Sequence, residues 1–385
     1  MSVNKMHIFL QRYAFLNALI LFAFSFFIFP TTDTYYYWTW SQHLQLSYLD
    51  GPPMIAYLLW LSTHIFGNNF FAIEIISIFA IYGSCFLIYK IVQLYRSNIV
   101  ALTAASLWLM YPFATTRFVA VSMTLDGLEV FFSLLIVYVA FKWRASKNNN
   151  YIYLLGVACG LGLLAKYNVI IIIAGLLLYF LSQRELRSIY FKCQTYIALL
   201  ITLLMFTPVL IWNYNNHWIS FYYQLNLHKW VGNAGAINSH DKYGLKGVWF
   251  YLTSCFFGVL NVYLLILAYY KFGKIKSQHN IVPTNRLDIS FRSGILFLIW
   301  FITLFWLIES YTKHIGLNYM TTLSCFFAMM VAESLNDKAI KFTQILLILF
   351  SFISIIMLID KSRLHNSDLP NYEKYIKSGL IKRGI

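Results

Sequence analysis

Apolar runs of about 17 to 23 residues recur along this chain, each closed by a short charged or polar loop, and that length is what an α-helix needs to span a bilayer. The pattern predicts spans near residues 13–30, 72–89, 99–114, 125–141, 151–165, 168–182, 196–212, 248–270, 293–309, 317–334 and 343–359, about 11 in all. The alternation of a membrane barrel is missing, and a helix satisfies its own backbone in lipid, so the spans are helices. The piece from Pro52 to Phe66 begins with two prolines, ends in GNN and is too short to cross; it predicts an interfacial helix.

Composition agrees. Of 385 residues, 60% are hydrophobic and 11% charged, with a mean hydropathy of +0.64, too few polar residues to solvate a globule of this size. The formal charge of +15 raises the question of nucleic acid, but the basic residues are dispersed among loops between spans. That is the positive-inside pattern, and no nucleic-acid partner is expected. With the N-terminus cytoplasmic, inner loops hold 17 Lys and Arg, outer loops hold 6, and the last 6 lie in the tail after Asp360. Cys85, Cys159, Cys193, Cys255 and Cys325 are scattered without a C-x-x-C, which predicts neither a disulfide framework nor a zinc site. The run from Ala14 to Phe29 lacks a small-residue cleavage site and reads as a retained first span.

Two outer segments are long enough to do more than connect, 31–71 and 213–247. The first contains PTTDTYYYWTWSQHLQLSYLDGPPMIA, in which Asp33 and Asp50 sit among Tyr35, Tyr36, Tyr37, Trp38, Trp40 and Tyr48 with no Lys or Arg. Such rings favour the headgroup level, so the segment lies along the membrane surface and holds Asp33 just outside the hydrocarbon. The second, rich in Asn, Gly and aromatics, is expected to form a flap over the first. Residues 1–360 are expected to form one transmembrane unit, with 361–385 a short basic tail and no soluble domain.

Ionisable residues at outer span ends are few and therefore informative: Asp33, Asp50, Arg117, Asp126, Glu129, Lys166, Glu309, Lys313 and His314. Each also has a structural reading. Asp126 suits a helix N-terminus, Glu129 one turn on suits an ion pair, Lys166 suits snorkelling from a tight turn, and Arg117 suits an ordinary loop. His217, His228, His240 and His314 fit no standard metal spacing.

The stretch DTYYYWTWSQHLQLSYLDGPPMIAYL resembles the N-terminal signature of the bacterial protein O-mannosyltransferase-like membrane proteins (glycosyltransferase family 39, PMT-2), approximately DEAYYWxWSxHLxxGYxDxPPxxAxL. The likeness continues through SMTLDGLEVFFSLLIVYVAFKWR, GVACGLGLLAKYNVIIIIAGLLLYFL and FTPVLIWNYNNHWISFYYQLNLH, the last resembling PVLLWN...GWxSFxFQ, with a weaker echo at KHIGLNYMTTL. Four motifs in order span residues 30 to 230. The resemblance implies an all-α polytopic GT-C fold with interfacial helices in the first periplasmic loop and an active site facing the periplasm from the bacterial inner membrane. It implies a glycosyltransferase that takes a sugar from a polyprenyl-phosphate donor and gives it to lipid A, a lipopolysaccharide core or another envelope glycan. Protein O-glycosylation is the alternative within the class.

By the same resemblance, Asp33 matches the acid proposed to deprotonate the acceptor hydroxyl and Asp126 the second outer-face acid. The resemblance sets Lys166 near the lipid phosphate and Asp50, Pro52 and Pro53 near the site; apart from it, Arg117 or Lys313 can supply positive charge to the donor phosphate, and Tyr36 and His314 are further residues expected at the substrate. Thr34 stands where the family usually has Glu, and Gly51 where lipid A transferases often have Lys. No cofactor is required by the motifs, and a divalent cation is compatible with them. The chemistry fits: a phosphate leaving group needs nearby positive charge more than a general acid, one base suffices for the acceptor, and in-line attack inverts the anomeric carbon. A transporter or flippase would instead predict ionisable groups near the midplane and paired broken helices, which the sequence does not show.

Overall fold

The computed structural model describes residues 32–109, 124–225, 244–255, 286–312, 315 and 317–335, with isolated positions between 8 and 26 and between 340 and 346. Among these residues the chain is α-helical without a strand; the pairing of Tyr48 with Gly51 is an isolated bridge. The helices are α1 (Thr32–Gln42), α2 (Met54–Phe66), α3 (Phe70–Gln93), α4 (Asn98–Leu109), α5 (Leu125–Ser146), α6 (Asn150–Ala165), α7 (Val169–Ser182), α8 (Cys193–Asn215), α9 (Ile219–Gln224), α10 (Gly244–Ser254), α11 (Arg286–Glu309) and α12 (Thr321–Ser334). Short 3-10 turns at Arg187–Phe191 and Leu317–Met320 precede α8 and α12.

Three described helices are long and apolar enough to cross a membrane: Phe70–Gln93, Cys193–Asn215 and Ser290–Glu309. Five shorter apolar helices join them, and α5 matches their length while carrying Asp126, Glu129, Lys142 and Arg144. The chain is a multi-pass membrane protein. Most of the expected spans 13–30, 248–270 and 343–359, the end of 99–114, part of the 213–247 segment and the tail 361–385 lie outside the described residues.

Local signals explain the boundaries. Gly67, at φ 79°, ends α2, and Asn69 then caps α3 by accepting the Ala72 N–H at 2.8 Å. Lys147, in the left-handed region at φ 56°, closes α5 by donating its N–H to the Trp143 carbonyl at 2.8 Å. Helix α6 packs on α5 and α8, α3 on α4 and α5, α12 on α4, and α7 on α11. Small residues allow the closest of these approaches. A Cβ on Gly156 would sit 2.5 Å from the Ala198 carbonyl oxygen, and one on Gly160 would sit 2.8 Å from Met205. Thr202 fastens the same seam by donating to the Gly156 carbonyl at 2.9 Å.

The two ends of the bundle differ in charge. At one end Glu333 of α12, 3% exposed, lies 3.3 Å from Arg96 and 3.7 Å from Arg292, and Arg144 pairs with Glu185 at 3.0 Å. These belong to the loops and span ends that the Lys and Arg count assigns to one side. The other end carries α1, α2 and the carboxylates.

Candidate active site

The residues from 32 to 53 form a helix and a compact loop. Helix α1 has no apolar stripe of the soluble kind: Thr34, Trp38 and Ser41 are buried while Tyr36 is exposed. Tyr48 organises the loop. Its ring stacks on Trp40 at 4.2 Å, and its hydroxyl donates to the carbonyls of Trp40 (3.0 Å) or His43 (3.1 Å) while accepting the Gln45 N–H (3.1 Å). Pro52 and Pro53 are buried, and Pro53 occupies the N-cap of α2, where its missing N–H costs nothing.

This loop closes one side of a cavity of about 280 Å³. Asp33, Tyr36 and Tyr37 of α1, Asp50 and Pro52 of the loop, Asp126 of α5, Lys166 of the α6–α7 turn, and Gln224 of α9 all line it, with Tyr319 of the Leu317–Met320 turn facing them. Segments far apart in sequence thus bring three carboxylates to one place.

Lys166 is the centre of charge. Its Nζ lies 2.5 Å from Asp126 Oδ1 and 2.6 Å from Glu129 Oε2, and 5.3 Å from the centroid of the Tyr319 ring. Burial works against the ammonium, but the Asp126 and Glu129 charges outweigh it and hold Lys166 protonated well above the usual lysine range. The spacing of Asp126 and Glu129, one turn apart in α5, lets both acids grip one cation. Lys166 is therefore already committed to two acids. Around the cavity, four carboxylates face one ammonium among the described residues.

Asp33 forms no ion pair among the described residues. Partial burial, and then the charge of Asp126, raise it above the ordinary carboxylate range. Asp50 is also raised, chiefly by burial and further by Asp33, with Lys166 pulling the other way; Gln224 donates to the Asp50 carbonyl at 2.8 Å. Tyr37 is pushed up by burial, by Asp126 and by Asp50, so its hydroxyl stays a hydrogen-bond donor among acceptors. Among the described residues no group of three or more His, Cys, Asp or Glu is placed to hold a metal.

Residues 50–212 match the family model described as dolichyl-phosphate-mannose-protein mannosyltransferase. The match covers less than half of this chain, which is thus similar in part to that family. Over 316 residues, 78% of this chain, it is 24% identical to undecaprenyl phosphate-alpha-4-amino-4-deoxy-L-arabinose arabinosyl transferase 1 of Proteus mirabilis (strain HI4320). The match covers 53% of that protein, so the chain spans about half the length of this curated relative. In fold it is similar to ArnT from Cupriavidus metallidurans, solved bound to undecaprenyl phosphate, with a TM-score of 0.66 at 10% identity, covering 96% of this chain and 72% of that one. The Archaeoglobus fulgidus oligosaccharyltransferase, in complex with Zn and sulfate, gives 0.51 at 15% identity, over 97% of this chain and 57% of its own.

Of the positions singled out in the GT-C motifs, Asp33, Tyr36, Asp50, Pro52, Asp126 and Lys166 share the cavity. Pro53 shapes the loop without lining it. Arg117, Lys313 and His314 lie outside the described residues. Sequence reasoning passed over Tyr37, Tyr167, Gln224 and Tyr319 as lining residues. Signals for three existed: Tyr167 follows Lys166 directly, Gln224 closes the SFYYQ motif, and Tyr319 lies in the weaker KHIGLNYMTTL echo.

Proposed function

We propose that this chain transfers a sugar from a polyprenyl-phosphate donor to the hydroxyl of an envelope glycan such as lipid A or a lipopolysaccharide core. The active site is the carboxylate-lined cavity, opening to the periplasmic side of the inner membrane. The single observation that carries the reading is the convergence of Asp33, Asp50, Asp126 and Lys166 on that cavity, beside a helix of interface-seeking aromatic rings. The side follows from the Lys and Arg count, which leaves this end with the fewer cations.

In this mechanism Asp33 accepts the proton of the acceptor hydroxyl as its oxygen attacks the anomeric carbon. The bond from that carbon to the phosphate oxygen breaks, and polyprenyl phosphate leaves with the electron pair. Attack in line with the leaving group inverts the sugar. Asp126 is held by Lys166 and fixes the electrostatic setting of Asp33. Because Lys166 is paired, stabilisation of the leaving phosphate falls to other donors: the Tyr37 hydroxyl, and Arg117 and Lys313, whose loops the charge count assigns to the same side.

Among the described residues the carboxylates around the cavity outnumber the ammonium, which favours a donor whose sugar is itself cationic; an amino sugar of the kind named for the Proteus relative meets that condition. The test is Asp33→Asn in cells whose envelope glycolipids and glycoproteins are analysed by mass spectrometry. Loss of one sugar mass with normal membrane insertion is expected, and an unchanged sugar pattern overturns the proposal.

A further inference from the structure

Beside the cavity, three segments meet at one phenol. The Tyr167 hydroxyl lies 3.2 Å from Ser47 Oγ in the loop after α1 and 3.1 Å from Ser220 Oγ in α9, and both serines are fully buried. Its ring packs edge-on against Phe221 of α9 at 5.4 Å and Phe206 of α8 at 6.2 Å. One more bond runs in parallel, from Gln224 of α9 to the Asp50 carbonyl at 2.8 Å, while Trp212 Nε1 of α8 holds the same loop at Gln45 Oε1, at 2.9 Å. The loop 43–51 and α9 are therefore tied to each other through the residue next to Lys166.

The turn that leads into α9 makes such a tie necessary. His217 and Trp218 both adopt left-handed backbone, at φ 55° and 61°, a conformation that crowds the Cβ of any non-glycine residue. The turn reverses the chain so that α9 folds back toward the loop, with the Trp218 N–H donating to the Asn213 carbonyl at 2.7 Å. Helix α9 is only six residues long and has no stability of its own. Its place depends on what it is tied to.

We propose that Tyr167 is a positioning residue for sugar transfer: its hydroxyl joins the 43–51 loop to α9 and so sets the cavity wall that carries Asp50 and Gln224. This rests on the transferase reading for its kinetic consequence, but the mechanical tie stands apart from it. Asp50 and Gln224 line the same cavity as Asp33, the base proposed for the acceptor hydroxyl, so loosening this wall impairs the seating of the acceptor while leaving the base in place.

The experiment compares wild type with Tyr167→Phe, which keeps the ring contacts and deletes only the hydroxyl, and with Ser47→Ala, whose partner is the same oxygen. Hydrogen–deuterium exchange over residues 219–225 is read in detergent without substrate, and initial rates are read against acceptor concentration. Expected are faster exchange in that segment in both variants, by about fivefold or more for one lost hydrogen bond, and an acceptor KM raised by a similar factor with kcat within about twofold. Unchanged exchange overturns the tie whether or not the protein transfers sugar. Faster exchange with unchanged KM, or a fall in kcat alone, confines Tyr167 to a structural part and overturns the positioning role. Absence of transfer in wild type refutes the transferase reading and leaves the exchange result to decide the tie.

Discussion

Replacing Lys166 with Met removes the ammonium that Asp126 and Glu129 share while keeping the length of the side chain. At 2.5 and 2.6 Å, and with an effective dielectric of about 20, each contact is a gross attraction of about 6 kcal/mol. Desolvation cancels several kcal/mol per ion, since the three side chains are only 15%, 11% and 8% exposed. The change leaves two carboxylates close together without their cation, and loss of one partner from a buried pair costs about 3–5 kcal/mol. The assay is reversible unfolding of the purified protein in mixed micelles, run as a cycle with Glu129→Gln. Lys166→Met is expected to lose about 3–5 kcal/mol, and the double variant to lose less than the sum of the two singles, because neutralising Glu129 relieves the repulsion. Strict additivity, or a Lys166→Met protein within about 1 kcal/mol of wild type, would refute the idea that the triad is a structural charge centre. Lys166→Arg, which keeps the charge, is the control for activity.

The same geometry sets other outcomes. Because burial and Asp126 raise Asp33, the rate of transfer is expected to fall on acidification at a pH above the ordinary aspartate range, as Asp33 gains the proton that stops it acting as a base. Asp126→Asn removes one cause of that rise and is expected to move the acid limb to lower pH; a limb that stays in place assigns it to another group. At the opposite end, Glu333→Gln removes the anion between Arg96 and Arg292 and is expected to cost about 3 kcal/mol in the same unfolding assay while leaving KM for both substrates unchanged. A changed KM would mean the two ends are coupled.

Much of the fold was legible because lipid imposes a simple rule on the chain. Apolar stretches at 72–89, 125–141, 168–182 and 196–212 became α3, α5, α7 and α8, with boundaries shifted by a few residues at caps such as Asn69 and Lys147. The short stretch after Pro52 and Pro53 became a helix of 13 residues that begins directly after the second proline. The count of Lys and Arg put Asp50, Asp126 and Lys166, from three separate loops, on one side, and those three share one cavity. The pairing of Lys166 with both Asp126 and Glu129 was not legible. Its commitment to Asp126 and Glu129 depends on how the α6–α7 turn docks on α5, and one-dimensional spacing shows only that the two acids share a face. The Tyr167 cluster was hidden for the same reason, since its partners are 120 and 53 residues away.

The glycines of α6 bear on how such a chain chooses its neighbours. A hydrocarbon surrounding is indifferent between one greasy surface and another, so apolarity brings helices into the membrane without telling them where to sit. At Gly156 and Gly160 the instruction is written as missing volume: α8 fills the first gap with its own backbone at Ala198 and the second with the Met205 side chain. A redesign that scored each position by hydropathy would accept leucine at both and would lose the address while keeping the oil.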